Sequence, residues 1–411
     1  MTSTTSEPGK LRIALIGYSF MGSIHAQAWI TAPRFFDLGV VPVLAAVCGR
    51  DQEAAQSFAN RFGIGRVETD WRTLVADPDI DAVDICAPGS LHAEIAMAAL
   101  EAGKHVLCEK PLANTVGEAE RMALAAEEAK ARGALAMVGF SYRRTPALAY
   151  ARELVRDGRL GTVRHIRASY LQDWIVDEEF PLVWRLQKDK AGSGALGDIG
   201  AHIIDLAQYV TGHRLAGMSA LTETFVKTRP YAGSSSGLQA QLGPEPASGL
   251  RAQGHEKPER GAVTVDDATV VIGRTAEGAL ATFEATRFAT GRKNAIRLEV
   301  NGSRGSLAFD FEDLNELWFH DHTDPAESSG FRRILVTEPN HPYAGAWWPP
   351  GHGLGYDHAF VHQAADFARC VARGEQPEPS FAEGLQIQRL LEAAEASAAN
   401  NAQWQDVTAG A

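Results

Sequence analysis

The order of short apolar runs predicts an α/β protein: a doubly wound parallel sheet at the N-terminal end, then an α/β domain with an open, mostly antiparallel sheet. Three observations carry this. Apolar runs alternate with helical stretches up to residue 140, β-type runs follow one another after Pro146, and a glycine-bounded turn, Gly17–Gly22, separates the first run from the first helix. Strands alternating with helices of about 10–15 residues require right-handed crossovers, which lay strands parallel and cover both sheet faces. Two domains are therefore expected, 10–140 for dinucleotide binding and 141–411 for substrate binding and assembly, the latter carrying the C-terminal helices.

Leu11–Ile16 is the first predicted strand, and a helix runs from Gly22 to Trp29. Val43–Val47, Asp81–Cys86, His105–Cys108 and Ala134–Val138 read as further strands, interleaved with helices over Gln52–Phe62, His92–Ala102 and Val116–Arg132. In the second half, Ala147–Asp157 and Asp198–Val210 are helical, as are Asp357–Ala372 and Phe381–Ala399. Val163–Tyr170, Gly217–Val226, Ala268–Arg274, Ala279–Thr286, Ile296–Val300 and Ser306–Phe311 have strand character. Their short connections imply antiparallel pairing with one face covered by helix. Pro230–Gly261, rich in Gly, Ser, Pro and Gln, reads as a long surface loop.

Composition narrows the partners. The 411 residues carry a net charge of −12, and no dense Lys/Arg run occurs, which argues against nucleic acid or an anionic membrane surface. No apolar stretch reaches the roughly 18 residues of a membrane span, and Met1–Lys10 lacks the apolar core of a secretory signal. Cys48, Cys86, Cys108 and Cys370 have neither disulfide-like nor metal-like spacing, so buried thiols in a reducing cytoplasm are expected and no metal site is. A small molecule is the expected partner.

In Gly17-Tyr18-Ser19-Phe20-Met21-Gly22 the outer glycines permit a tight turn and close backbone approach, and the following helix offers N–H groups and its positive dipole end to a pyrophosphate. Ser19 replaces the middle glycine of the usual fingerprint. The second strand ends Val47-Cys48-Gly49-Arg50, without the acid that binds the ribose diol of NAD. A small residue followed by Arg leaves room for a 2′-phosphate and offers it a guanidinium. The cofactor reading is NAD or NADP, with Arg50 leaning toward NADP but equally suited to stacking on adenine or to solvation; Asp51 fits an ordinary helix cap.

Glu109-Lys110-Pro111 directly follows the fourth strand of the series, and ligands of open parallel sheets bind outside the carboxyl ends of their strands. A second constellation, Gly194-Ala195-Leu196-Gly197-Asp198 followed by His202 and Asp205, places three titratable groups on one helix face, with Ile199, Ile203, Leu206 and Val210 forming the adjacent apolar stripe. Hydride transfer from an alcohol needs a base for the hydroxyl proton. Histidine has the right pKa, a carboxylate can orient it, and an ammonium can stabilise the developing alkoxide. His202, Asp198 and Lys110 are assigned these roles.

These motifs resemble the Gfo/Idh/MocA oxidoreductases (glucose–fructose oxidoreductase, inositol dehydrogenase and rhizopine catabolism), from Leu11 to the final helix. The resemblance implies a Rossmann domain joined to an α/β domain whose open sheet mediates a homodimer or homotetramer, with Lys110, Asp198 and His202 catalytic. It further implies that Pro88, Ser90 and His92 line the cofactor groove beside Gly17, Ser19, Phe20, Met21, Gly22, Gly49, Arg50, Glu109 and Lys110. Segments Phe140–Pro146, Tyr170–Trp174 and Ala191–Asp198 are similar to the family's sugar 3-dehydrogenases. That similarity implies oxidation of a pyranose C3 hydroxyl, in an anhydrosugar or glycoside, with Gln172, Trp174, Trp184, Arg185 and Tyr343 as substrate contacts. An inositol dehydrogenase and a non-catalytic nicotinamide sensor are the alternatives.

Overall fold

A computed structural model describes residues 9–231 and 259–407. It begins with β1 (Lys10–Ile16), α1 (Phe20–Phe35), β2 (Val41–Cys48), α2 (Gln52–Phe62) and β3 (Val67–Glu68). Then come α3 (Trp71–Val75), β4 (Ala82–Ile85), α4 (His92–Glu101), β5 (His105–Cys108), α5 (Val116–Lys130) and β6 (Ala136–Val138). Among the described residues these strands form a six-stranded sheet in the order β3-β2-β1-β4-β5-β6, and every pairing is parallel. The strand order reverses between β1 and β4, which defines the crevice where such sheets bind dinucleotides. The central strands are buried, as the near-continuous apolar runs Ile13–Ile16 and Ala82–Ile85 require, Asp84 alone interrupting them with a carboxylate.

The second part contains α6 (Pro146–Arg156), β7 (Val163–Leu171), α7 (Lys188–Ala191), α8 (Ala201–Thr211) and β8 (Leu215–Glu223). The short pair β9 (Thr228–Pro230) and β10 (Arg260–Ala262) follows, then β11 (Ala268–Thr275), β12 (Leu280–Thr286), β13 (Ala295–Gly302), β14 (Gly305–Asp310), β15 (Glu316–Asp321) and β16 (Arg332–Leu335). The chain closes with α9 (His358–Arg373), α10 (Phe381–Ala399) and β17 (Gln405–Asp406). Among the described residues a nine-stranded sheet runs β16-β15-β14-β13-β7-β12-β11-β8-β17. It is antiparallel apart from the central β7–β12 pair, where Ala168 lies opposite Phe283. Strand alternation is clean on β11, where Thr269, Val271 and Thr275 are buried while Val270 and Ile272 are exposed. Helix α8 packs on β7 and β13 and beside α6, covering one face.

The sheet extends further than the sequence pattern suggests. β15 and β16 were not expected, because the polar residues around Trp318 and Arg332-Arg333 mask their alternation. The strand read as Gly217–Val226 is β8, which starts and stops earlier; Asp267 draws the Phe225 and Val226 amides out of line. Of the loop expected over Pro230–Gly261, only the ends are described, as β9 and β10; residues 232–258 lie outside the described residues.

Two compact units result. Of the described residues, the first holds 9–113, 117–144 and 355–385, and the second holds 114–116, 145–231, 259–354 and 386–407. The chain thus leaves the first unit and returns to it: α9 packs on α1, with Trp29 edge-on to Phe367 and His25 against Phe360. Among the described residues no helix is long and apolar enough to cross a membrane.

Candidate active site

In the first unit, the turn after β1 explains its glycines. Gly17 has φ +111°, and a Cβ there would stand 2.6 Å from the Cys86 carbonyl oxygen; one on Gly22 would stand 2.1 Å from the Gly17 oxygen. The backbone is therefore pressed against the end of β4 and can approach a ligand as no side-chain-bearing residue could. Ser19 is the residue before α1, and the helix has no acidic residue in its first turn. A first helical turn presents N–H groups that lack intrahelical acceptors, so the turn fits a dinucleotide pyrophosphate. Phe20 is exposed and stacked on Tyr356, 6.4 Å between centroids, with Met21 half-buried beside it.

Gly49 corrects the reading of the second strand's end. The space beside it is filled by Tyr18, whose ring would lie 1.8 Å from a Cβ at position 49. Glycine is required there by the packing of Tyr18, not by an open pocket. Arg50 is exposed, and Asp51 caps α2 by accepting from the Ala54 amide at 3.0 Å.

The turn after β4 carries Pro88 and Ser90, half-buried and exposed respectively. His92, expected beside them in the groove, is only 1% exposed. Its ring nitrogens lie 2.9 Å from the Ala87 carbonyl oxygen and 3.0 Å from that of Pro111. It ties the two strand-end turns together from below, and burial lowers its pKa from the ordinary histidine value, against the pull of those carbonyls.

Lys110 is half-buried at the end of β5, and the Lys110–Pro111 bond is cis. Glu109 does not face outward with it. Its carboxylate turns inward, where Oε1 meets His25 Nε2 at 3.0 Å and Oε2 accepts from the Lys110 amide at 3.2 Å. On the other side of the ring, His25 Nδ1 lies 2.9 Å from both oxygens of Asp84, which also accepts from Trp29 Nε1 at 2.7 Å. His25, Asp84 and Cys86 stand close enough together to suggest an ion site. The donor set speaks against it, because both nitrogens of His25 are already directed at carboxylates.

In the second unit, Asp198 and His202 lie one turn apart where a π-helical turn, Leu196–Gly200, runs into α8. Such turns widen the helix locally and recur at functional sites. Asp198 is half-buried, His202 is 7% exposed and Asp205 is fully buried, so the three share no solvent face. The four residues of the apolar stripe are buried as expected. The entry to this turn is held by Asp266, whose carboxylate accepts from the Gly194 amide at 2.6 Å and the Leu196 amide at 2.8 Å. A Cβ on Gly194 would lie 1.8 Å from the Asp266 carbonyl oxygen, so glycine is obligatory.

Arg287 is wholly buried. It donates to the Asp266 carbonyl at 2.9 Å, and its guanidinium stands 3.7 Å from Asp198 and 3.9 Å from Asp267. It also lies 5.6 Å from the centre of the Trp174 ring, within cation–π range. Burial pushes the Asp267 carboxyl up from its ordinary value, opposed by the Val226 amide and by Arg287.

The expected substrate contacts fall into three groups. Gln172 is engaged, donating to Asn294 at 2.8 Å and accepting from Trp174 Nε1 at 3.0 Å, while Trp174 packs edge-on to Phe180. Arg185 stacks on Trp184 at 4.5 Å. Tyr343 is half-buried with φ 62°, a left-handed conformation that a bulky residue adopts only when its surroundings impose it. Reasoning from sequence did not single out His25, Asp84, Asp266 or Arg287. Only the Asp266-Asp267 pair offered a signal, two acids at the start of a strand.

Comparison with known proteins agrees with this architecture. Residues 11–140 match the oxidoreductase family described as having an NAD-binding Rossmann fold, and residues 148–308 match the GFO/IDH/MocA C-terminal domain. Levoglucosan dehydrogenase of Pseudarthrobacter phenanthrenivorans is 42% identical over 97% of this chain and 98% of its own. Among solved structures, an oxidoreductase domain protein from Kribbella flavida is 60% identical with a TM-score of 0.90, covering 97% of this chain and all of its own. A levoglucosan dehydrogenase complexed with NADH and levoglucosan is 40% identical, with a TM-score of 0.87 over 97% of this chain and 99% of that one. The fold and its strand-end turns define an NAD-binding oxidoreductase. The chain belongs to the Gfo/Idh/MocA family.

Proposed function

We propose that this enzyme oxidises a secondary hydroxyl of a pyranose-type sugar, an anhydrosugar or a glycoside at C3, passing the hydride to NAD⁺ or NADP⁺. One observation carries the reading. The chain is alike along nearly its whole length to levoglucosan dehydrogenase, and it carries Lys110, Asp198 and His202, with the last two held on a single π-turned helix start. The nicotinamide, when bound, supplies the hydride acceptor. His202 takes the hydroxyl proton, Asp198 orients the imidazole and favours its protonated form, and Lys110 stabilises the developing alkoxide. Gln172, Trp174, Trp184, Arg185 and Tyr343 are proposed to contact the sugar, and the turns at Gly17–Gly22, Gly49-Arg50 and Pro88–Ser90 to bind the cofactor. The four free thiols support a reducing, cytoplasmic setting.

Nicotinamide reduction in the presence of levoglucosan, glucosides, free pyranoses and inositols tests the reading. Turnover on the sugars with none on inositols is expected; preference for an inositol would replace it with the carbocyclic alternative. Arg50 decides the second cofactor. Replacing it with Ala is expected to raise the KM for NADP⁺ about tenfold, the loss of one charge-assisted contact, while leaving that for NAD⁺ unchanged. An unaltered NADP⁺/NAD⁺ ratio would show that Arg50 does not read the 2′-phosphate.

The outer face of the large sheet supports a homodimer or homotetramer. Leu221, Val270, Ile272 and Leu280 are each more than half exposed on adjoining strands β8, β11 and β12. Exposed apolar surface of this kind favours a role in association. Val270→Asp combined with Ile272→Asp is expected to give a smaller particle by light scattering after size exclusion; an unchanged mass would remove this face from the assembly.

A further inference from the structure

The group most in need of explanation is the buried His25 beneath the β1 and β5 turns. Asp84 comes from β4, Glu109 from the end of β5 and His25 from α1, all at 7% exposure or less. Each ring nitrogen of His25 meets a carboxylate at 2.9–3.0 Å. A neutral imidazole has one N–H, so its other nitrogen would face a carboxylate lone pair to lone pair. Two N–H groups remove that conflict and turn both contacts into charge-assisted hydrogen bonds. Room for the inward Glu109 carboxylate is made at Gly139, where a Cβ would stand 2.7 Å from Oε1. The second oxygen of the same carboxylate binds the Lys110 amide.

We propose that His25 is a positioning residue for Lys110: as an imidazolium spanning Asp84 and Glu109, it fixes the carboxylate that holds the Lys110 backbone. The proposal rests on Lys110 acting in hydride transfer. Burial, the largest single influence, disfavours the charged ring, but Asp84 and Cys86 together raise it and hold His25 well above the ordinary histidine range. The other titratable groups about it are Cys86 on the β4 side, whose thiol burial raises to about 12, and Tyr356 with Tyr142 near Glu109, where burial raises the Tyr356 phenol. A group whose pKa is raised on folding adds stability that is full below the ordinary histidine value and is lost as pH rises through the folded value. His25 therefore stabilises the first unit at neutral pH and ceases to do so under alkaline conditions.

The test uses the full chain. Nitrogen NMR of the histidine-labelled protein at pH 8 is expected to show two protonated ring nitrogens for one residue, a signal that disappears in His25→Gln. A single protonated nitrogen would place the proton on Glu109 and overturn the proposal. Amide exchange reads the consequence. In His25→Gln the Lys110 amide is expected to exchange faster while the Glu109 amide, bound to the Ile85 carbonyl at 3.0 Å, keeps its protection. In the same variant kcat is expected to fall about tenfold or more, as small misplacements of an active group do, with the NAD⁺ dissociation constant within about twofold of the parent. Unchanged Lys110 exchange, or unchanged kcat in a folded variant, would overturn it. Should the parent turn over no sugar, the functional reading fails, yet the NMR and exchange measurements still decide the role of His25.

Discussion

Replacing His202 with Ala is expected to reduce turnover by about 10²–10⁴-fold, the usual contribution of a positioned general base, while cofactor binding stays intact. The residue sits on the first regular turn of α8 within the second unit, whereas the glycine turn that fits a pyrophosphate belongs to the first. Binding and chemistry should therefore separate. His202 is nearly buried and rests against Tyr170, 6.0 Å between ring centres, so truncation to Ala leaves a void in addition to removing the proposed base. His202→Asn keeps much of the volume and should lose activity to the same degree. Rapid measurement of sugar oxidation beside a fluorescence titration of NADH distinguishes the two effects. If the Asn variant keeps parental turnover, the proton leaves by another route.

Arg287→Leu should be the most damaging single change to stability. The guanidinium is fully buried between Asp198 and Asp267 and also satisfies the Asp266 carbonyl. Removing one member of a buried ion cluster leaves the others uncompensated and typically costs about 3–5 kcal/mol. Here the loss would fall on Asp267, itself fully buried, and on the loop that caps the helix start carrying Asp198. Urea unfolding of the variant should show a lower midpoint with little change in slope. Pairing Arg287→Leu with Asp267→Asn should recover part of the loss, because the amide tolerates burial without a counter-charge. A fully additive double variant would show that the two groups do not interact.

How much of this could be read from the residues alone depended on whether the signal was local. The parallel sheet was legible because each βα step is written in one stretch of chain, apolar run, glycine or cap, helix. The start of α8 was legible for the same reason: Asp198 and His202 stand four residues apart on one helix. What holds them was not. Asp266 reaches the Gly194 amide from 72 residues away, and His25 meets Glu109 from 84 away. No periodicity records such pairings, since they depend on which strand ends the topology brings together. Glu109 shows the limit within a motif: the sequence reading put it in the cofactor groove, but Gly139 on another strand's end opens the space that lets the carboxylate turn in. Gly49 was legible as a glycine and misread in its reason, because the ring that excludes a Cβ there belongs to Tyr18, in the turn after a different strand.

The return of α9 to the first unit bears on how the protein is made. A nascent chain emerges from its N-terminus, so β1 to β6 are available long before the helix whose Phe360 and Phe367 pack against His25 and Trp29 on α1. Until that helix is synthesised, one flank of the nucleotide-binding half stays uncovered, and the edge strand β17 of the large sheet follows later still. A ribosome stalled before Gly355 would hold two unfinished units, the first lacking α9 and the second lacking the end of α10 and β17, which pairs with β8.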